Sequence, residues 1–254
     1  MSFSINNNAS AMTSNFFNDL NNQKLDNTLK QLSTGSKLNS AADDAASLAI
    51  ANNFSAQVRE AGQSIMNAND SIGMIQIAEG AVSGMSDNMD KIRELTLKAS
   101  SATMNDANRN SIQNEINGLM KSNSQMASSA SYNGISLLDG SSGSLANTAS
   151  ITGAEIDVTV EGGLEQALES IDTARNSLGT IRSDFGSSQN QLLAEIRNTS
   201  VFQINAASAE SNLRDVDFAQ ESANFSQQNL QSQVGLFAQA QSNVVAENVT
   251  RLFS

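Results

Sequence analysis

The stretch from Ala68 to Met89, ANDSIGMIQIAEGAVSGMSDNM, decides the fold. Apolar side chains recur along it at every seventh position. The series consists of Ala68, Ile75, Val82 and Met89, with Ile65 and Ile72 at the second seam position. A heptad repeat kept over several turns is typical of a coiled-coil-like helix. The pattern predicts one long helix that starts after Asn39-Ser40 and runs to about Ser100.

Helical patterns also flank this stretch. A helix is predicted from Asp106 to Ser129, and another carries Leu164, Ile171, Leu178, Phe185 and Leu192 at heptad spacing. The first helix of the chain is expected to stop at Ser33–Ser36, because Gly and Ser favour a helix end. The last helix follows a short break near Asn212–Asp217.

Both ends of the chain carry apolar residues but long runs without charge. No Asp, Glu, Lys or Arg occurs from Met1 to Asn18 or from Ser222 to Ala246. Neutral polar ends can dock against neighbours without desolvating a charge.

The only β-like part lies in the middle of the chain. Tyr132-Asn133-Gly134 is a hairpin turn signal, and Glu155–Val160 alternates polar and apolar residues as a strand does. The predicted fold is mainly α, with long antiparallel coiled-coil-like helices and a small β-hairpin element near residues 132–160. Helices that return on themselves pair antiparallel. We therefore expect one domain from 1–42 plus 213–254 and a helical bundle from 43–212.

Composition excludes most chemistry. The 254 residues include no Pro, Cys, His or Trp and carry a formal net charge of −12. Without His or Cys there is no His-dependent triad, thiol nucleophile or thiolate metal site, so only carboxylate or Ser/Lys chemistry remains possible. The Ser/Lys pairs show no catalytic spacing, and we therefore expect no enzyme, metal or cofactor. The acidic balance argues against nucleic acid and anionic membranes. No segment is apolar enough to span a bilayer, and the first residues do not resemble a Sec signal peptide.

An acidic pair, Asp43-Asp44, has two interpretations. It could hold a metal or serve as an acid pair. The favoured interpretation is a helix N-terminus that Ser40 caps, where acids in the first turn complement the helix dipole.

Several motifs resemble one known family. Leu32–Ala46, LSTGSKLNSAADDAA, is similar to the hallmark N-terminal motif of bacterial flagellin. The further matching blocks are Asn67–Asp70, Gln76–Ala81, Ile92–Leu95, Ile112–Ile116, Tyr132–Gly140, Leu213–Ala219 and Asn248–Phe253. The resemblance covers roughly residues 1–140 and 164–254. About twenty-five residues stand where many flagellins carry variable outer domains, so it points to a short flagellin without them.

The resemblance implies a structural subunit that polymerises into the extracellular flagellar filament for swimming motility. It implies an inner domain of paired terminal helices and a bundle domain outside it. Export would use a flagellar chaperone and the type III apparatus, without a cleaved Sec signal peptide. The implied partners are further copies of the chain, the filament cap and the hook–filament junction proteins.

The family resemblance also implies that the two neutral ends are self-association surfaces, chiefly at 1–40 and 215–254. The candidate residues are Ile5, Met12, Phe16, Leu20, Leu25, Leu29, Leu32, Phe218, Leu230, Val234, Phe237, Val245, Val249 and Leu252.

A contact with Toll-like receptor 5 is also implied by the resemblance, through Lys91, Arg93, Glu94, Leu95 and Glu115. The alternative for these residues is packing between subunits. Two alternatives remain for the whole chain: a hook–filament junction protein, and a soluble cytoplasmic coiled-coil adaptor, which heptads alone would allow.

Overall fold

The computed structural model describes residues 9–101, 103–160 and 163–252. The elements are α1 (Ala9–Thr34), α2 (Ala45–Ala99), α3 (Asp106–Ser129), β1 (Ser131–Tyr132), β2 (Ile135–Ser136), α4 (Ala149–Thr152), α5 (Gly163–Arg214) and α6 (Phe218–Leu252). The mainly α fold predicted from the sequence is confirmed.

The chain divides into two compact units. Unit 1 takes its described residues from Met1–Glu60 and Phe202–Ser254, and unit 2 is Ala61–Val201. The domain division at 42 and 213 stays a prediction. None of the described helices combines the length and the apolar character needed to cross a membrane.

The core of unit 2 forms on the heptad seam of α2. All members of the predicted series, Ala68, Ile75, Val82 and Met89, are buried, as the spacing predicts. Ile75, Val82 and Met89 belong to one buried cluster, to which α3 and α5 also contribute. The contributing residues are Ile112 and Ile116 of α3 and Ile171, Leu178 and Phe185 of α5. Burying one such side chain stabilises the fold by about 1.5–3 kcal/mol. The seam therefore determines which faces of α3 and α5 turn inward.

A buried polar contact lies within this apolar cluster. Asn88 Nδ2 of α2 donates to Asn123 Oδ1 of α3 over 2.8 Å, and Asn123 is fully buried. One turn before Asn88, Gly84 lies beneath Met126, whose Sδ would be 3.1 Å from an added β-carbon. Asn123 Nδ2 has no partner among the described residues. The pair still favours this helix register, because an axial slip would break the bond and leave Asn123 Oδ1 unpaired as well. The sequence did not indicate this pair.

Unit 1 places the breaks of the terminal helices side by side. Gly35 takes a φ of +68° after α1, which is the left-handed conformation that ends many helices. The Gly35 carbonyl accepts from Val216 N at 3.1 Å, and Lys37 N donates to Arg214 O at 2.6 Å. The breaks predicted near 33–36 and 212–217 are confirmed, and backbone hydrogen bonds join them.

The start of α2 differs from the expectation. Ser40 as the cap is wrong, and the acids precede the first turn rather than lie in it. Asp44 accepts from the backbone N and the hydroxyl of Ser47, at 3.1 and 2.6 Å. Asp43 accepts from Ser40 N and Asn39 N, at 2.7 and 2.9 Å. A carboxylate satisfies the open N–H groups better than a distant hydroxyl.

These hydrogen bonds also determine the ionisation of both acids. The backbone N–H of Ser40 holds the pKa of Asp43 below its ordinary value. The Ser47 hydroxyl lowers the pKa of Asp44 in the same way. Both carboxylates therefore accept hydrogen bonds from residues at or just before the start of α2. This supports a helix N-terminus over a metal or acid pair, although the capping residue is Asp44 and not Ser40.

The hairpin is confirmed, but the second predicted strand is wrong. Asn133 and Gly134 take φ values of 49° and 79° between β1 and β2, as a type I′ turn requires. Residues 155–160 form no strand. Ile156 and Val158 are buried as the alternation predicts, but Asp157 accepts from Thr159 N and Oγ1 at 2.8 and 2.6 Å and bends the chain.

The side chain of Gln113 replaces the missing strand partner. Its Nε2 donates to Ile156 O at 2.7 Å, and its Oε1 accepts from Val158 N at 2.8 Å. A primary amide offers the same donor and acceptor as a peptide group, so one side chain of α3 satisfies this buried backbone.

We predict that Gln113→Leu destabilises the chain by about 1–3 kcal/mol, because two backbone groups lose their partner. Urea unfolding followed by circular dichroism measures this. Asn114→Leu is the control, since Asn114 lies exposed on the same helix. A surface change there should cost about 0.5 kcal/mol or less. Equal effects of the two substitutions would contradict the proposed role of Gln113.

Candidate self-association surface of the terminal helices

Helices α1 and α6 of unit 1 pack along each other. Residues further along α1 contact residues earlier in α6, so the pair is antiparallel, as predicted. Polar side chains join the two helices: Asn18 to Gln239 Oε1 at 3.3 Å, Asn21 to Gln228 O at 2.9 Å, and Ser232 to Asn22 Oδ1 at 3.1 Å. Amides and a hydroxyl, not ion pairs, make these contacts.

Most of the predicted self-association residues face solvent in the single chain. Phe237 is 75% exposed and Phe16 65%. The others that are exposed are Met12, Leu20, Leu29, Phe218, Leu230 and Val234, while Leu25 and Leu32 are half-buried. Ile5 lies outside the described residues, and Val245, Val249 and Leu252 fall outside the described side chains. Each helix covers only part of the apolar stripe of the other, so much of the apolar surface of α1 and α6 remains exposed to solvent.

An open groove of about 570 Å³ runs between the two helices. Its apolar lining includes Phe17, Leu20, Leu230, Val234 and Ala238. Lys24 is the one charged side chain among the residues that line it. The groove therefore combines exposed apolar surface with almost no charge.

Gly235 determines how closely the helices approach in this groove. A β-carbon at Gly235 would collide with Asn18 Oδ1 and lie 2.9 Å from Asn18 Cγ. The sequence did not indicate Phe17, Asn18 or Gly235. The period of the apolar stripe does not select Phe17, and a small residue opposite an amide leaves no apolar signal.

The residues implied in receptor contact lie in unit 2 with unequal access. Lys91, Glu94 and Glu115 are exposed, whereas Leu95 is half-buried and packs against the core. Arg93 Nε contacts Asp172 Oδ1 of α5 at 3.0 Å.

The ion pair of Arg93 belongs to a small network. Arg175 contacts Asp90 at 2.7 Å and Asp172 at 3.7 Å, and all four side chains are partly exposed. Partly exposed pairs of this kind contribute about 0–1 kcal/mol each. The network orients the Arg93 guanidinium without locking it.

Long helices that pair along each other and leave large apolar side chains exposed define the class of helical structural proteins. Residues 5–143 match the bacterial flagellin N-terminal helical region, and residues 168–253 match the bacterial flagellin C-terminal helical region. The chain therefore belongs to the bacterial flagellin family.

Relatives match along most of the chain. Identity to the flagellar filament 31.3 kDa core protein of Treponema maltophilum is 31%, over 98% of this chain and 99% of the relative. Identity to flagellin FlaB2 of Treponema pallidum is 29% over the same shares. Flagellin B of Helicobacter pylori is 43% identical over 54% of this chain and 25% of its own length. The crystal structure of Bacillus cereus flagellin aligns at a TM-score of 0.49 and 21% identity, over 53% of this chain and 88% of that one.

As a member of this family, the chain is a structural subunit of the flagellar filament, which serves motility, and it is not an enzyme. Family membership decides against the cytoplasmic adaptor. The relatives that match along their whole length are filament proteins, which favours a filament subunit over a junction protein.

We predict opposite effects for two Gly→Ala substitutions. Gly73→Ala meets nothing within 4 Å and should stabilise α2 by about 1 kcal/mol. Gly235→Ala must displace Asn18 and break its hydrogen bond to Gln239, which costs about 1 kcal/mol. We therefore expect Gly235→Ala to gain no thermal stability and to raise the critical concentration for polymerisation about fivefold. Thermal melts and sedimentation measure both effects, and identical behaviour of the two variants would refute the close approach.

Proposed function

We propose that α1 and α6 form the surface through which copies of this chain assemble into an extracellular filament. The observation that carries this proposal is the exposure of large apolar side chains along both helices, Phe16 and Phe237 foremost. Apolar surface of this kind on a soluble chain marks an interaction site. Lys24 is the one charged residue that lines the groove, and α6 carries no charge from Ser222 to Ala246, so a second copy can cover this part of the surface with little desolvation of ions.

Energetics supports the proposed surface. Each large apolar side chain that becomes buried contributes about 1.5–3 kcal/mol. The cost of association and of ordering the ends is also several kcal/mol, about 4–15 for lost rigid-body freedom alone. Several such side chains per copy are therefore needed, and α1 and α6 provide eight exposed ones among the predicted residues.

The remaining roles are proposed from the family resemblance. The terminal domain of 1–42 plus 213–254 would form the inner part of the filament, and the bundle of 43–212 would lie outside it. Export would proceed with a flagellar chaperone through the type III apparatus, without a cleaved Sec signal. The filament cap and the hook–filament junction proteins would be its other partners.

The first test of the assembly surface is a charge at its centre. Val234→Lys should raise the critical concentration at least about tenfold, because an unpaired ammonium group resists burial. Val160→Lys is the matched control, since Val160 is also exposed but lies in unit 2. Sedimentation after seeding with native filament fragments gives the measurement. Normal assembly of Val234→Lys would refute the surface.

Removal of the ends gives a second readout for the same surface. A 45–210 fragment lacks α1 and α6 but retains the seam of α2 and its partners. We expect it to stay helical and soluble and to fail to polymerise on the same seeds. Pelleting fibres of this fragment would contradict the proposal, whatever the result with the lysine variants.

We also propose contact between the depolymerised subunit and Toll-like receptor 5 through Lys91, Arg93, Glu94, Leu95 and Glu115. The exposure of Lys91, Glu94 and Glu115 supports it. The ion pair of Arg93 with Asp172 must open before its guanidinium can bind a receptor. Lys91 offers no planar fork for bidentate binding, so the proposed contact is weak.

The receptor contact predicts a gain of signal on Lys91→Arg, because a guanidinium binds carboxylates in bidentate geometry. Reporter cells that express the receptor give the dose curve for depolymerised subunits. Lys98→Arg is the control, since Lys98 is exposed on the same helix outside the proposed contact. If neither the original chain nor Lys91→Arg gave a signal at any dose, the proposed receptor contact would be refuted.

A further inference from the structure

Two Asn-Gly dipeptides occur in this chain, Asn117-Gly118 and Asn133-Gly134. Both dipeptides are exposed to solvent. Gly has no β-carbon, so its amide nitrogen is the least hindered one that can follow an Asn side chain. Since the local sequence and the exposure match, the backbone conformation must determine any difference in their chemistry.

The first dipeptide is held inside a helix. Asn117-Gly118 lies in the middle of α3, where each backbone N–H donates to the carbonyl four residues earlier. The side chain is held as well, because Asn117 Oδ1 accepts from Gln113 Nε2 at 3.0 Å. The Gly118 nitrogen would have to leave the helix before it could attack the Asn117 amide.

The second dipeptide forms the turn of a short hairpin. Asn133-Gly134 connects strands of only two residues each, and their paired residues are Ser131 with Ser136 and Tyr132 with Ile135. The turn residues lie outside this ladder. A β-carbon added to Gly134 or to Gly118 would meet nothing within 4 Å, so packing hinders neither glycine and the backbone conformation is the difference between the two sites. Within the described part of the chain, no hydrogen bond holds the Asn133 side chain.

The geometry points to Asn133 as a site of spontaneous deamidation, with Asn117 as its protected counterpart. The Gly134 amide nitrogen attacks Asn133 Cγ and forms a new C–N bond. The Cγ–Nδ2 bond breaks, and ammonia leaves with the proton of the Gly134 amide. Water then opens the five-membered succinimide at either carbonyl and gives Asp or isoAsp. The step needs only water and involves no oxidation or reduction.

Both products change the hairpin. Each adds a negative charge to a chain whose formal charge is already −12. IsoAsp also lengthens the backbone by a methylene group, which a two-residue I′ turn cannot accommodate without losing its register. Tyr132, next to the turn, lies with its hydroxyl 3.5 Å from Asp70 Oδ1 and would be displaced with it. Aged chains would therefore differ from new ones at this turn, independently of the proposed assembly surface.

The test compares the two sites within one molecule. The purified full-length chain is incubated at mildly alkaline pH, and peptide mapping by mass spectrometry follows the conversion of each Asn. We expect Asn133 to convert at least about tenfold faster than Asn117, because a turn opens far more often than the middle of a helix. In strong denaturant the two rates should become similar, since the dipeptides are the same.

Two variants assign the fast reaction. Asn133→Gln should abolish it, because Gln would have to close a less favourable six-membered ring. Asn117→Gln is the matched control and should leave it unchanged. Treatment with an isoaspartyl methyltransferase should label the original chain and Asn117→Gln, but not Asn133→Gln. Equal native rates at the two sites, faster conversion of Asn117, or a fast reaction that survives Asn133→Gln would overturn the proposal.

Discussion

The apolar seam of α2 is the constraint on which unit 2 depends. A helix of 55 residues cannot leave Ile75, Val82 and Met89 in water. The apolar faces of α3 and α5 cover this seam, and so do Leu137 and Leu138 after the hairpin, both fully buried. Because the seam repeats every seven residues, the helices that cover it must run nearly parallel to its axis. The long bundle is a consequence of that repeat.

Apolar repeats select faces, but polar side chains select positions along the axis. Shifting one helix by a heptad would restore much of the apolar packing, whereas it would separate Asn88 from Asn123. Gln113 acts similarly on the backbone of Ile156 and Val158. Such groups cost free energy when they are unpaired, so they penalise every alternative register.

The difference between apolar repeats and polar contacts explains which features the sequence could predict. Local signals predicted the C-terminal end of α1 and the turn at Asn133, because glycine conformations act over a few residues. The strand at 155–160 failed because alternation reports only which side chains are buried. Alternation does not show what forms hydrogen bonds with the backbone of these residues. In a sheet the partner would be a neighbouring strand, whereas here it is the side chain of Gln113 in α3. The cap at Ser40 failed because α2 begins only at Ala45, where the carboxylate of Asp44 accepts from the open N–H groups of Ala46 and Ser47.

The proposed assembly surface follows a different rule, because its residues are not buried by the chain itself. Among the described side chains, the buried apolar residues of unit 1 are Leu38, Ala51 and Ala206, whereas unit 2 has a large continuous core. The stripes of α1 and α6 have the same helical spacing as buried core residues, yet Phe237 faces solvent in the single chain. Periodicity identifies apolar faces without saying which chain will cover them.

The same contrast has a thermodynamic consequence. A unit that buries little apolar surface has a low free energy of unfolding, so a neighbour that covers it also stabilises its fold by mass action. In the proposed filament, folding of the terminal pair and assembly are therefore coupled, while unit 2 folds on its own core. The absence of charge from 222 to 246 fits this coupling, because a neutral end loses no ion hydration when it is covered.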